Sequence, residues 1–213
     1  MHTTMRSCFV LCTATLAGVV PSAAQQSLEL STFVGVHVPS THVIGLYGFC
    51  PGDGKGMVTQ NPASVVGARV TAWTGRRLGV DLSLDVSGPQ ATNVWGAKGS
   101  IMTGSARLLL GLTPRASSTS FYVAAGLGLV DHRGAAYSYG SSAGASVGPV
   151  VGAGGRFRLA PTLSLRADVD DYVYGFSRTQ SATAPFAQNP LQNELAISAG
   201  ISLTPFGHSE VAR

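Results

Sequence analysis

The chain has 213 residues, only 11% of them Asp, Glu, Lys or Arg, and its formal net charge is +4. An ordinary soluble domain is about a quarter charged, so these charges are too few to cover the outside of a soluble barrel. The sequence also lacks the basic run that a nucleic-acid partner would require. High hydropathy, 27 glycines and no apolar run after residue 24 as long as a transmembrane helix indicate β-structure in a membrane.

The first 24 residues have the layout of a secretory signal peptide. Arg6 precedes an apolar region at residues 8–20, and Ala24 offers a small side chain before a cut between Ala24 and Gln25. An uncleaved anchor is the alternative, but the apolar region is short for a membrane span. Cleavage would leave Cys50 as the single cysteine, expected to be a free surface thiol unless it pairs between molecules.

Eight segments alternate between apolar and polar or small residues, as β-strands with two chemically different faces do. In "LGVDLSLDVS", residues 78–87, the aliphatic side chains fall on one side and Asp81 and Asp85 on the other. Each segment is close to the ~9–11 residues that a tilted strand needs to cross the hydrocarbon. The segments are 28–38, 65–74, 77–87, 100–112, 120–130, 149–159, 163–173 and 193–203.

Eleven charged residues of these segments share the polar face, and the apolar face of the strand centres carries none. They are Glu29, Arg69, Asp81, Asp85, Arg107, Arg156, Arg158, Arg166, Asp168, Asp170 and Glu194. Opposite charges in near-equal number suit a narrow lumen, where an unpaired ion is costly. Small residues on the same face suit the interior of an eight-stranded barrel. We therefore place this luminal charge network inside and the aliphatic side chains toward lipid; a soluble secreted barrel is the alternative.

The connections between segments alternate in length. Three are short and contain Gly or Pro, as hairpin turns do: residues 74–77, 113–119 and 160–162. The others are longer: residues 39–64, 88–99, 131–148 and 174–192. In bacterial outer-membrane barrels the short turns face the periplasm and the long loops face outward.

Several aromatic residues lie near the ends of the segments. Trp73, Tyr172, Tyr174 and Phe176 are expected in the girdles that face the membrane interfaces, with ordinary strand-end aromatics as the alternative.

Asp171 falls on the lipid side of its segment. The strand must therefore leave the hydrocarbon there or contain a β-bulge.

These features resemble the small outer-membrane β-barrels, the group of the OmpA transmembrane domain, OmpX and OmpW. The resemblance covers about residues 27–206 and includes a closing segment, from Ser198 to Phe206, similar to the carboxy-terminal signal for barrel insertion; the tail "GHSEVAR" departs from that pattern. It implies an all-β, eight-stranded antiparallel up-and-down transmembrane barrel after a cleaved signal peptide. The segments would be a signal peptide at 1–24, the barrel at 25–206 and a tail at 207–213.

The implied location is the bacterial outer membrane, reached by secretion across the inner membrane. The implied partners are outer-membrane lipids and, during biogenesis, periplasmic chaperones and the barrel-insertion machinery.

Some outer-membrane barrels are enzymes that act on lipid A, and such an enzyme needs a nucleophilic site. Asp131 and His132 stand at the start of the third long loop, near Ser138, Ser141 and Ser142. Proximity in sequence does not establish the hydrogen bonds that a catalytic triad needs. The tail segment 208–210, His-Ser-Glu, is a weaker candidate still.

The sequence contains no complete phosphate-binding or metal-binding motif. "GFCPGDGKG", residues 48–56, does not match a phosphate-binding loop. Such a loop would need Gly at position 49, which is Phe49, and Ser or Thr at position 56, which is Gly56. His37 and His42 have no cysteine or carboxylate cluster with metal-ligand spacing. We therefore predict no catalytic, cofactor or metal site.

The leading hypothesis is a non-enzymatic outer-membrane barrel that acts as a structural and interaction scaffold and displays four surface loops, whose partner the sequence leaves open. The alternatives are a narrow diffusion or transport barrel for small solutes and, less favoured, a lipid-modifying enzyme that uses His132.

Overall fold

Eight long antiparallel β-strands make up most of the described part of the chain and close into a barrel. The structure, a computed structural model, describes residues 26–39, 45–46, 56–57, 59–92, 96–115, 117–137, 145–175 and 191–205. The strands are β1 (Gln26–Pro39), β2 (Ala63–Thr74), β3 (Leu78–Ser87), β4 (Lys98–Gly111), β5 (Thr119–Gly134), β6 (Ala145–Ala160), β7 (Leu163–Gly175) and β8 (Leu191–Leu203). Each strand pairs with the next, and β1 also pairs with β8. The predicted all-β, up-and-down barrel of eight strands is confirmed.

The three short connections lie together at one end of the barrel, which we call the turn end. The β2–β3 turn contains Gly75 with a φ of 75°, a left-handed conformation that glycine adopts without steric cost. The backbone of Arg77 in this turn accepts a hydrogen bond of 2.6 Å from Gly111 at the end of β4. β1 also begins here, because Gln26 pairs with Thr74. The turns are therefore tied to one another.

The opposite end, which we call the loop end, carries the described parts of the longer connections. Residues 59–60 pair with residues 91–92, residues 45–46 pair with residues 56–57, and a short 3₁₀ helix, Ala135–Tyr137, follows β5. The described residues contain no helix long and apolar enough to cross a membrane. The predicted long connections lie in part outside the described residues.

Side chains along the strands alternate between a polar interior and an apolar exterior. In β3 the alternation runs unbroken from Leu78 to Ser87. Outside, Leu108 and Leu127 are 69% and 63% exposed, whereas inside Glu29 and Asp81 are 0% exposed. A soluble protein buries its aliphatic residues and keeps carboxylates in water, so this molecule has the opposite arrangement.

The prediction of an aromatic girdle at Trp73, Tyr172 and Tyr174 is wrong. All three side chains are buried inside the barrel, because each occupies an inward-facing position of its strand; Trp73, for example, has the same parity as Arg69 in β2. Phe176 lies outside the described residues. The aromatic side chains that do face outward near the turn end are Phe121 and Phe157.

The register excludes one of the two alternatives for Asp171 and corrects the predicted placement of Asp131 and His132. The β6–β7 pairing runs unbroken from Val150–Tyr172 through Val151–Asp171, so Asp171 is not in a bulge; the irregularity in this pair falls at the turn end, near Arg158.

Asp131 and His132 do not begin a loop. They belong to β5, whose pairing with β4 continues to Gly134.

Candidate functional site

The middle of the lumen is filled by ion pairs between arginines and aspartates, which we call the central cluster. Its members are Arg69, Asp81, Arg107, Arg166, Asp168 and Asp170. Asp81 and Arg107 are cross-strand neighbours on β3 and β4, and Arg107 Nη2 lies 3.0 Å from Asp81 Oδ2. Arg166 on β7 reaches across the lumen and donates to the same oxygen at 2.7 Å. The cluster therefore links opposite walls of the barrel.

The other two carboxylates of the central cluster are also shared between arginines. Arg69 lies 2.5 Å from Asp168 and 3.2 Å from Asp170, measured from its two terminal nitrogens. Asp168 accepts a further bond of 3.0 Å from Arg166 Nε, and Asp170 accepts one from Arg107. Three positive and three negative groups face one another here, and each of them contacts opposite charge, which offsets the cost of its burial.

Neutral side chains add hydrogen bonds to the central cluster. Tyr122 donates its hydroxyl proton to Asp168 Oδ1 at 2.6 Å, and Arg166 donates to Thr71 Oγ1 at 2.8 Å. The guanidinium of Arg166 also lies 4.9 Å from the centre of the Tyr122 ring, at the distance of a cation–π contact. The alternation in β5 predicts that Tyr122 faces inward, but its bond to the luminal charge network was not predicted.

A second cluster lies at the turn end around Glu29. Arg156 donates to Glu29 Oε1, and Arg115 donates to the same oxygen at 2.8 Å. Arg156 and Arg158 also donate to the backbone carbonyl of Arg115, at 2.9 and 3.0 Å. Arg158 is half-buried, and its recorded bond is to this carbonyl rather than to a carboxylate. Arg115 was missed because it lies in a turn, where alternation carries no information.

A third cluster lies toward the loop end around His37. The ring of His37 is 3.3 Å from Asp85 Oδ1 through Nε2 and 3.4 Å from Glu194 Oε1 through Nδ1. Gln90 donates to Glu194 Oε1 at 2.6 Å. His37 thus links two buried carboxylates from β3 and β8. Its parity in β1, the same as that of Glu29, was the signal that could have found it.

The residues considered for catalysis do not come together. His132 points into the barrel, where its ring centre is 4.9 Å from that of Tyr137 and 5.7 Å from that of Tyr174. Asp131 lies on the other side of the strand and pairs with the exposed Arg133 at 2.6 Å. Asp131 and His132 are therefore not arranged as the acid and base of a catalytic triad.

The remaining candidates fall outside the described residues. They are Ser138, Ser141, Ser142, His42, Cys50 and the segment 208–210. Among the residues that the structure does describe, no group of three or more His, Cys, Asp or Glu side chains is arranged to hold a metal ion.

Near the loop end, Tyr137 extends the polar lining beyond the strands. It accepts a hydrogen bond of 3.0 Å from Gln60 Nε2. Burial raises the pKa of the Tyr137 hydroxyl to about 12, so this group stays protonated at neutral pH.

Comparison with known proteins identifies the fold. No protein-family model and no curated protein sequence matches the chain. Among solved structures, the outer membrane protein AlkL, determined in lipid bilayers, matches with a TM-score of 0.53 and 14% identity over 92% of this chain and 97% of that one. Neisserial surface protein A matches with a TM-score of 0.49 and 13% identity over 83% and 96% of the two chains. The match to AlkL covers nearly all of both chains, and the chain has the fold of the small outer-membrane β-barrels.

Proposed function

We propose that the protein is a non-enzymatic scaffold embedded in the bacterial outer membrane, whose barrel holds four loops at the outer surface. The observation that carries this proposal is the reversal of the two faces of the sheet. Ion pairs occupy the lumen, and aliphatic side chains cover the outside of the strand centres. Such an exterior is stable against hydrocarbon and costly against water.

The dimensions of the apolar exterior support a membrane position. In β3 the outward side chains run from Leu78 to Val86, a length of about 26 Å along the strand at ~3.3 Å per residue. A strand tilt of roughly 40° shortens this to about 20 Å along the membrane normal, close to the ~25 Å apolar band of outer-membrane barrels. Asp171 lies toward the loop end of the exterior, where it accepts a bond from Asn193 at 3.3 Å.

The lumen supports a structural role over an enzymatic one. A general acid or base needs a group that can exchange a proton with a substrate, yet each aspartate of the central cluster lies against two or more arginines. We infer that the predicted network of eleven luminal residues serves to hold the barrel walls together. His37 and Arg115 extend that network at its two ends.

The proposal is tested by cell fractionation and gel mobility of the full-length protein. We expect the protein in the outer-membrane fraction, released only by detergent. Without boiling, the folded barrel should resist sodium dodecyl sulfate and migrate differently from the boiled chain. Recovery in the soluble periplasmic fraction without detergent would contradict the proposal. A change in lipid A that disappears in a His132→Ala strain would instead favour the lipid-modifying enzyme.

A further inference from the structure

Five arginines converge at the turn end, from three different elements. Arg76 and Arg77 come from the β2–β3 turn, Arg115 from the β4–β5 connection, and Arg156 and Arg158 from the end of β6. Backbone bonds hold these elements together: Arg115 N donates to the carbonyl of Arg76 at 3.4 Å, and Arg158 N donates to the connection that contains Arg115. We call these five residues the turn-end arginine patch.

The charge of this patch is not balanced. Within the described residues, Glu29 is the carboxylate recorded in contact with it, through Arg115 and Arg156. Arg76 and Arg77 are exposed, and the described part of the chain supplies no recorded side-chain partner for either. The donors of the patch that remain open to solvent are therefore those of Arg76 and Arg77, whereas Arg115, Arg156 and Arg158 are engaged within the barrel end.

The loop end has the opposite balance. Its described acidic residues are Asp85, Asp131, Asp171 and Glu194, against the positive charges of Lys98 and Arg133 and the ring of His37. The positive charge of the described residues is thus concentrated at the turn end. A cluster of fixed positive charges attracts anions over about a Debye length, ~8–10 Å in ordinary salt.

The patch adjoins the apolar exterior of the barrel. Leu78 follows Arg77, Leu159 follows Arg158, and Leu112 lies near Arg115 in sequence; all three leucines face outward and are more than half exposed. In an embedded barrel the apolar exterior ends at the level of the lipid headgroups. Long arginine side chains at that level extend their guanidinium groups to the interface.

We infer that Arg76 and Arg77, the exposed members of the turn-end arginine patch, bind the phosphate groups of anionic phospholipids in the adjacent leaflet. Guanidinium groups form short, often bidentate, hydrogen bonds with phosphate. A lipid fits better than a free anion, because its acyl chains can also cover Leu78, Leu112 and Leu159. The inference rests on the proposed membrane position, and it adds a lipid class and the residues that select it.

The test uses the full-length protein folded in detergent and titrated with phosphatidylglycerol or with phosphatidylcholine of the same acyl chains. Lipid adducts are counted by native mass spectrometry. The test variant is Arg76→Gln with Arg77→Gln. The matched control is Lys98→Gln with Arg133→Gln, which removes two exposed positive charges from the loop end. The wild-type protein and the control should bind phosphatidylglycerol about tenfold more tightly than phosphatidylcholine, and the test variant should lose most of that preference.

Three results would overturn the inference. They are equal binding of the two lipids by the wild-type protein, equal loss in the test and control variants, and competition by inorganic phosphate as strong as that by the lipid. Heat-dependent gel mobility checks folding, and Arg76→Gln alone, with an intermediate loss expected, replaces the double variant if that variant does not fold. A wild-type protein that is soluble and shows no mobility shift would contradict the proposed function, whereas a folded barrel without lipid preference contradicts this inference alone.

Discussion

At the scale of single residues, Asp81 is the carboxylate that contacts all three arginines of the central cluster. It lies 3.0 Å from Arg107, 2.7 Å from Arg166 and 3.6 Å from Arg69. Asp81→Asn would leave three buried guanidinium groups with two carboxylates. Breaking a buried ion pair from one side costs about 3–5 kcal/mol, so we expect the free energy of unfolding to fall by about that amount. Urea unfolding in lipid vesicles, followed by tryptophan fluorescence, measures the change.

The control for this substitution is Asp171→Asn, which removes the same charge from the outer face. Asp171 is partly exposed, and its recorded contact is with Asn193. Its loss should change the free energy of unfolding by about 0.5 kcal/mol or less. Similar costs for the two variants would mean that the luminal ion pairs contribute nothing beyond ordinary surface charge.

Gly75 gives a second prediction at this scale. Its φ of 75° is in the left-handed region, and a Cβ there would meet open space. Gly75→Ala therefore tests backbone strain alone, with an expected cost of about 1–2 kcal/mol in the same unfolding measurement. Gly175→Ala is the control, because that position is equally open and its φ lies outside the left-handed region. An equal effect of both substitutions would argue against strain in the β2–β3 turn.

At the scale of the strand, β3 allows the membrane to be probed by depth. Leu82 and Leu78 face outward on the same strand, Leu82 near its middle and Leu78 at the turn end. Arginine on the lipid face costs about 2–4 kcal/mol at the bilayer midplane and about 0–1 near the interface. We therefore expect Leu82→Arg to lower the free energy of unfolding in vesicles by several-fold more than Leu78→Arg. Small and equal costs would indicate that water surrounds the strand.

The alternation of the sequence was sufficient to predict the eight strands and the face of each charge in β3, because parity determines which side a strand residue faces. It failed where residue type was weighed above parity, as for Trp73. It also failed to predict the end of β5 at the loop end, because the strand continues to Gly134, beyond the alternating segment 120–130. There His132 pairs with Ile101 of β4, and this pairing between strands leaves no trace in the sequence of β5 alone.

At the scale of the whole molecule, the luminal clusters form three layers of different charge. Glu29 faces Arg115 and Arg156 at the turn end, three arginines face three aspartates in the middle, and two carboxylates flank His37 toward the loop end. The layers place positive charge toward the turns and negative charge toward the loops. Among them, only the central layer has equal numbers of arginines and carboxylates.

The central layer gives the prediction that separates a scaffold from a diffusion path. β3 and β7 lie opposite each other in the ring of eight strands, and the 2.7 Å bond between Asp81 and Arg166 connects them directly. A solvated ion would have to separate these charges, and an eight-stranded barrel leaves room for little besides its own side chains. We therefore expect no unitary currents from the wild-type protein in planar bilayers. Clear currents would instead show that the ion pairs open and would favour transport, whereas currents confined to Arg166→Ala, with none from Asp171→Asn, would identify the central layer as the barrier.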